Sequence, residues 1–409
     1  MSNGKIRKNE ALLWFGSWTS KIGNIIFDYA NSISIVSAFA GKPWILAIYQ
    51  SSETIIQILF NLVGGARADT GNRKKIVIIT DILSALICGI LSFFVKTRLM
   101  AQVMVIANAL LALVYAFNSP TYKSMIREVI EKERIGFFNS VSHAGGEIIR
   151  VAGPIIGVGL VGIIGVRGAL LFDAFTFLVS AAAEFCLTKA EGTAGSKKGK
   201  KNILLDIAEG FGYLVKEKEI LFLLILASFV NIFLAGYNLL LPYTDIIYDG
   251  LFHNFYSKAL AMEAVGGIVS SAVCARFVNK FRDNVLALIL FLSGTGFVLI
   301  LEPLLALTAN VYLCLIPFAL FGISLTAFNI QFMSYVQVAV DENYLGRVFS
   351  IIFTVAVLFM PVGSFLFSAF VNTSDVKSFY AVGGGIMLMS LLSMLVHSLF
   401  SETQGITLR

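Results

Sequence analysis

The sequence predicts an all-α integral membrane protein with twelve transmembrane helices in two six-helix bundles, and three observations carry that reading. Of its 409 residues 57% are hydrophobic and only 14% charged, at a mean hydropathy of +0.83. Soluble domains average roughly 45–50% and 25%, and no globular interior hides so much apolar surface. Charge-poor windows of about 20 residues, the length that crosses a bilayer core as a helix, recur along the whole chain. One long polar stretch, beginning KAEGTAGSKKGKKN at Lys189, leaves six such windows on each side.

Taken in order, the chain opens with Lys5, Arg7 and Lys8 before a long apolar run that has no small-residue cleavage site. That pattern reads as a retained first span rather than a signal peptide. Spans are expected at 11–36, 44–65, 75–96, 99–122, 138–164 and 167–187, then at 219–243, 256–278, 285–302, 306–335, 345–371 and 377–400. The domains are therefore 1–187, a linker at 188–218, and 219–409. Gly, Ser and Lys make the linker flexible and basic. Its second part places Ile203, Leu204, Ile207, Phe211 and Leu214 on one helical stripe, as in an amphipathic helix lying on the inner membrane surface.

An even number of spans puts both termini on one side, and the basic residues choose the side. Twenty-three of the 31 Lys and Arg fall with the termini, six fall opposite and two lie inside spans. Both ends are thus expected in the cytoplasm of a multi-pass cell-membrane protein. Topology and anionic lipid account for the net charge of +6 without a nucleic-acid partner. The cysteines Cys88, Cys186, Cys274 and Cys314 stand singly in apolar runs, and the three histidines are dispersed. They offer neither a metal-ligand set nor a nucleophile with its base, so a membrane enzyme lacks its machinery. No cofactor is called for: GVGLVG at 157–162 lies within a span, and GSKKGKK at 195–201 is one residue short of a phosphate loop. A monomer is expected.

The halves repeat weakly at an offset of 210 residues, which pairs Ser124 with Ser334, Glu131 with Asp341, Gly136 with Gly346, Ser140 with Ser350 and Glu53 with Glu263. Two parallel six-helix repeats are the plan of transporters that rock about a central site.

The loop after span two reads GGARADTGNRKK. It resembles the signature loop of the major facilitator superfamily in the form Gly-x-x-x-Asp-x-x-x-Arg-Lys-Lys, through Gly65, Asp69, Arg73, Lys74 and Lys75, with Thr70 where an Arg is usual. NSPTY at 118–122, FFNSV at 137–141, VAGPIIG at 151–157, LLFDAFTFLVSA at 170–181 and DIAEGFGYL at 206–214 extend the resemblance to the macrolide-efflux-like branch of drug:proton antiporters. The resemblance implies alternating access, with Asp69 latching the halves against the start of span eleven near Gly346 and Arg347. Independently, a carboxylate facing a helix N-terminus gains about 0.3–2 kcal/mol. The plainer alternative is a basic anchoring loop. Gly153, Pro154 and Gly157 form a helix-kink motif similar to one associated with antiporters; Pro154 removes a backbone hydrogen bond and the glycines allow close contact.

Ionisable groups inside spans are costly unless paired or hydrated. Asp28, Glu53, Glu147 and Glu263, with Arg150 as modulating cation, are the candidate proton carriers, because a buried carboxylate can load and release a proton. Glu147 with Arg150 can equally be a structural ion pair, and Asp173 reads as a helix staple. Glu184, Asp245, Asp249 and Glu302 fall near span ends, where hydration is expected. Trp14, Tyr115, Asn118, Tyr237, Asn238, Phe328, Asn329 and Gln331 suit a cavity for an amphipathic small-molecule substrate, or else interhelical packing. Export of such compounds against protons leads, with a peptide, siderophore or metabolite facilitator working in either direction as the alternative.

Overall fold

The computed structural model describes residues 3–39, 41–70, 72–95, 97, 99–131, 134–188, 203–281, 284–341 and 345–403. The chain divides into two compact units, Met1–Lys200 and Lys201–Arg409.

The first unit contains α1 (Asn3–Phe39), α2 (Pro43–Thr70), α3 (Arg73–Ser92), α4 (Met100–Val129) and α5 (Ile135–Phe185). Two spans share α5 because Gly165, at φ 70° and ψ 175°, interrupts the helix. Lacking a Cβ, glycine enters that region without steric cost. Beyond the break Arg167 lays its guanidinium over the Phe93 ring, 4.9 Å from its centre. Along α1, Gly16 and Gly23 face Ser180 and Thr176, whereas Trp18, Ile25 and Tyr29 face Gly145, Gly153 and Gly157. The two parts of α5 therefore run antiparallel on two faces of α1. Below the break Ile26, Ala30 and Ala169 form a small core. At the end carrying the basic loops, Leu13, Val77, Met125, Phe138 and Leu187 form another.

The second unit contains α6 (Ile203–Leu214) and α7 (Lys218–Leu240), which passes through a 3-10 turn, Leu241–Tyr243, into α8 (Thr244–Ile247). Then come α9 (Phe255–Phe281), α10 (Val285–Ala306), α11 (Val311–Ala339), α12 (Leu345–Leu358), α13 (Met360–Phe370) and α14 (Ser378–Thr403). Helices α12 and α13 make one span broken at Phe359, where Pro361 in the first turn of α13 has no N–H to continue the ladder.

Eight helical stretches among the described residues are long and apolar enough to cross a membrane by length and composition. The other four spans are α1, α2, the first part of α5, and the α12–α13 pair. Three of these carry Lys21, Asp28, Glu53, Glu147 and Arg150 in their sequence, so their lower hydropathy reflects charge. The fold is all-α, with twelve spans in two six-helix bundles.

Both units use the same pairing scheme. In the first, α1 packs on α5, α2 on α4, and α3 on α4 and α5; in the second, α7 packs on α12 and α13, α9 on α11, and α10 on α11 and α14. Helix ends repeat too: α4 and α11 stop at extended residues Ile130 and Val340, 210 positions apart. Asn72 and Asn284 both cap the next helix, accepting the amides of Lys75 and Ala287 at 3.2 and 3.0 Å.

Candidate functional site

Where α1, α2, α3, α4 and both parts of α5 meet, the first unit holds a cavity of about 680 Å³. Its walls combine the carboxylates Asp28, Glu53, Asp81 and Glu184 with the rings of Phe27, Tyr115, Tyr122, Phe138 and Phe177. Helical spacing explains the polar wall of α3, where Asp81 and Ser84 line the cavity and the buried Cys88 and Ser92 continue the same stripe at intervals of three or four positions.

The acids fall into two groups. In the first, the Tyr49 hydroxyl points at Asp28 Oδ1 across 3.5 Å and accepts Asn31 Nδ2 at 3.2 Å. Glu53 accepts Gln57 Nε2 at 2.9 Å. Asp28 feels the repulsion of Glu53 and of Asp173 on α5. Asp173 is wholly buried, accepts Cys88 Sγ at 3.3 Å and Thr176 Oγ1 at 3.2 Å, and sits against Gly23. It staples α1, α3 and α5 as the sequence suggests.

The second group joins Asp81 to Glu184. Asp81 accepts Asn118 Nδ2 at 2.9 Å and the Ser180 hydroxyl, and Asn118 also donates to Thr80 Oγ1 at 2.8 Å. Glu184 feels the charge of Asp81, and its Oε2 is buried without a hydrogen-bond partner. Glu184 is only 3% exposed, which corrects the expectation of a hydrated span end. Glu302 in the second unit corrects it too: the carboxylate is fully buried and accepts the Tyr248 hydroxyl. Asp245 accepts the Tyr256 amide at 2.9 Å.

Of the residues expected in a substrate cavity, Tyr115 and Asn118 line this one. Trp14 does not. It stacks between Trp18 and Phe138, with ring centres 6.2 and 5.5 Å away, and donates Nε1 to Ser142 Oγ at 3.0 Å. In the second unit Tyr237 is buried against Phe321 and donates its hydroxyl to Glu263 at 2.8 Å. Phe328 stacks on Phe332 with centres 5.6 Å apart. Gln331 is buried with neither amide atom hydrogen-bonded, while Asn238 and Asn329 are exposed. Tyr237 and Phe328 are both buried.

The backbone stays helical through Gly153 and Pro154. The residue of α5 with non-helical φ/ψ is Gly165, twelve positions beyond Gly153, and the glycines of the motif pack closely: a methyl on Gly153 would come within 2.6 Å of Ile25, and one on Gly157 within 3.4 Å of Tyr29. Arg150 is exposed on α5. The side chains of Asp69, Glu147, Pro154 and Arg347, and the surroundings of Gly65 and Gly346, lie outside the described residues. Two loop cations act within the first unit. Arg73 pairs with Glu128 at 2.6 Å, and Lys74 donates to the carbonyls of Phe185 and Leu187, both at 2.7 Å. Nearby, Arg134 forks onto Glu10 at 2.6 and 2.7 Å, which raises the guanidinium pKa, and Asn9 donates to the Val129 and Thr188 carbonyls. Among the described residues no three His, Cys, Asp or Glu are grouped to hold a metal ion.

A multi-pass helical bundle with its charges gathered around an internal cavity has the build of a membrane carrier for small molecules. The chain belongs to the Major Facilitator Superfamily, whose family model matches residues 13–364; it is a transporter and not an enzyme. It is similar to an uncharacterized MFS-type transporter, YkuC of Bacillus subtilis, with 24% identity over 70% of each chain. Macrolide efflux protein A of Streptococcus pyogenes is 19% identical over 92% of each. Among solved structures, the nucleoside transporter NupG superposes with a TM-score of 0.74 at 12% identity, covering 95% of this chain and 98% of that one. A bacterial homologue of the iron transporter ferroportin, in its inward-facing state, gives 0.70 at 15%, covering 95% and 98%. At such identities the structures share the fold alone.

Proposed function

We propose that this transporter exports amphipathic, cationic small molecules in exchange for protons, and that the acidic, ring-lined cavity of the first unit receives them. The observation that carries this reading is the combination of four carboxylates with exposed aromatic surface, Tyr115 being 51% exposed, around one cavity. Rings attract an organic cation through their faces, and carboxylates in a low-dielectric wall attract it more strongly still. Asp28 and Glu53 repel one another, so a proton or a substrate cation relieves the pair, and the two compete for it. Competition for one site lets proton entry drive cargo release. The likeness to a macrolide efflux protein supports export as the direction.

The test uses purified protein in proteoliposomes, with a panel of amphipathic amines and neutral analogues under an imposed pH gradient. Gradient-driven movement of the amines, lost in Asp28→Asn, is the expected result. Equal movement of neutral analogues, or flux indifferent to the gradient, would overturn the reading.

A further inference from the structure

Helix α6, the helical part of the linker, packs on α12 and touches α7. Residues 215–217 join it to α7 by a tight turn, in which the Lys216 amide donates to the Tyr213 carbonyl at 3.0 Å and the Glu217 amide to that of Leu214 at 3.1 Å. The apolar stripe that the sequence places on one face divides. Leu214 is fully buried, whereas Phe211 and Val215 are half exposed. Phe211 and Val215 stand one helical turn apart, as do the buried Gly210 and Leu214, so one row turns outward beside another that turns into protein. The outward row suits lipid; a helix that only rested on a membrane surface would have no use for the inward one.

Beside the inward row, Tyr213 reaches the turn between α11 and α12, where its hydroxyl accepts the Asp341 amide at 3.1 Å. That amide lies one residue past Val340, the extended residue that ends α11. Backbone donors at such a turn must find acceptors outside the helices, and here the linker provides one.

The segment held in this way is only part of a span. Span eleven breaks at Phe359, and α7 grips the break from the side. Asn231 Nδ2 donates to the Ala356 carbonyl at 2.8 Å, Ser228 Oγ donates to that of Val355 at 3.2 Å, and the Phe229 and Phe359 rings stack with centres 6.0 Å apart. In an unbroken helix the Ala356 carbonyl would receive the Met360 amide, and Pro361 has no amide to give the next carbonyl. A methyl on Gly363 would strike the Ile232 carbonyl, so α13 lies backbone to backbone against α7. The far part of the span is pinned; the part nearer the linker is hinged.

We infer that α6 is a strap: docked through Tyr213 and Leu214, it holds α12 in place, and its release lets α12 swing about the Phe359 break while α13 stays against α7. The connector of the two units thus controls a moving part of the second. This goes beyond the carrier reading and is tested without cargo or gradient, so either can fail alone.

The experiment follows amide hydrogen exchange by mass spectrometry in the purified full-length protein in detergent, for wild type, Leu214→Ala and Tyr213→Phe, with the melting temperature read alongside. Local opening of a docked element exposes its own amides and those it covers, without global unfolding. In Leu214→Ala, exchange in α6 should rise at least about tenfold, and the turn around Asp341 with the first turns of α12 should rise with it. Helices α9 and α13 should keep wild-type rates, and melting should fall by no more than a few degrees. Tyr213→Phe loses one hydroxyl and should give a smaller, several-fold rise in the same two segments, α6 included; it carries the test by itself if Leu214→Ala yields too little protein. Faster exchange in α6 alone, with the α11–α12 turn unchanged, would reduce α6 to a helix lying on the membrane and overturn the strap. A rise that spread through α9 and α13 would overturn it equally, because the whole unit would then be loosening.

Discussion

The two units share a pairing scheme and repeat their helix ends 210 positions apart, yet they treat buried acids and close helix contacts differently. In the second unit two acids within spans each have a tyrosine: Tyr237 serves Glu263, and Tyr248 serves Glu302. In the first unit Asp28, Glu53, Asp81 and Glu184 open onto a shared cavity. Glycine contacts differ in parallel. Methyls placed on Gly266, Gly322 and Gly363 would strike the carbonyls of Ala319, Glu263 and Ile232, whereas those on Gly145, Gly153 and Gly157 would meet side chains of Trp18, Ile25 and Tyr29. The second unit brings backbone against backbone at three glycines and gives each of these two acids a tyrosine donor; the first gathers its acids around a cavity.

The sharpest way to break this contrast is Gly322→Ala. Its new methyl would sit 2.0 Å from the Glu263 carbonyl oxygen, with no flexible side chain to yield. Folded protein recovered from the membrane should fall several-fold; normal yield and melting would refute backbone-to-backbone packing in the second unit. Next in size, Asp28→Asn and Glu53→Gln should each reduce gradient-driven flux at least about tenfold without lowering the melting temperature. Glu263→Gln should cost less, since Tyr237 already holds that carboxylate. If the order came out reversed, coupling would belong to the second unit. A smaller effect is expected of Tyr248→Phe, which leaves Glu302 buried without its donor; about 1–3 kcal/mol of stability should go, read by thermal unfolding. An unchanged transition would mean that the tyrosine cap contributes nothing. The smallest is Gly157→Ala. Its methyl meets Tyr29 at an ordinary 3.4 Å, so stability should move by no more than about 0.5 kcal/mol. A large loss would show the first unit packed as tightly as the second.

Much of the fold was legible because hydrocarbon thickness sets span length, and because Gly, Ser and Lys mark the polar stretch that begins at Lys189. The site was legible only in part. Asp28 and Glu53 announce themselves as charges deep in apolar runs. Asp81 went unnoticed inside ITDIL, and Glu184 passed for a hydrated residue near a span end, because depth along a helix says nothing about which neighbour its side chain meets. A signal was present: Asp81, Ser84 and Cys88 recur at helical spacing in span three, as Ser180 and Glu184 do in span six, so two polar stripes were waiting for a common cavity. Trp14 and Tyr237 could not be placed from sequence for the complementary reason. An aromatic ring with a polar atom reads the same in sequence whether it faces a cavity or donates to Ser142 or Glu263.

Gly165 bears on how the protein is made. Between spans five and six there is one residue in place of a loop, at φ 70° and ψ 175°. A ribosome-bound translocon therefore receives these spans as a single cargo, a hairpin whose tip carries one charge, Arg167, to take across the hydrocarbon ahead of the second leg. Nor does the turn offer a protease or an antibody a strand of chain to grip. Bulk at this one position would trouble biogenesis before it troubled function.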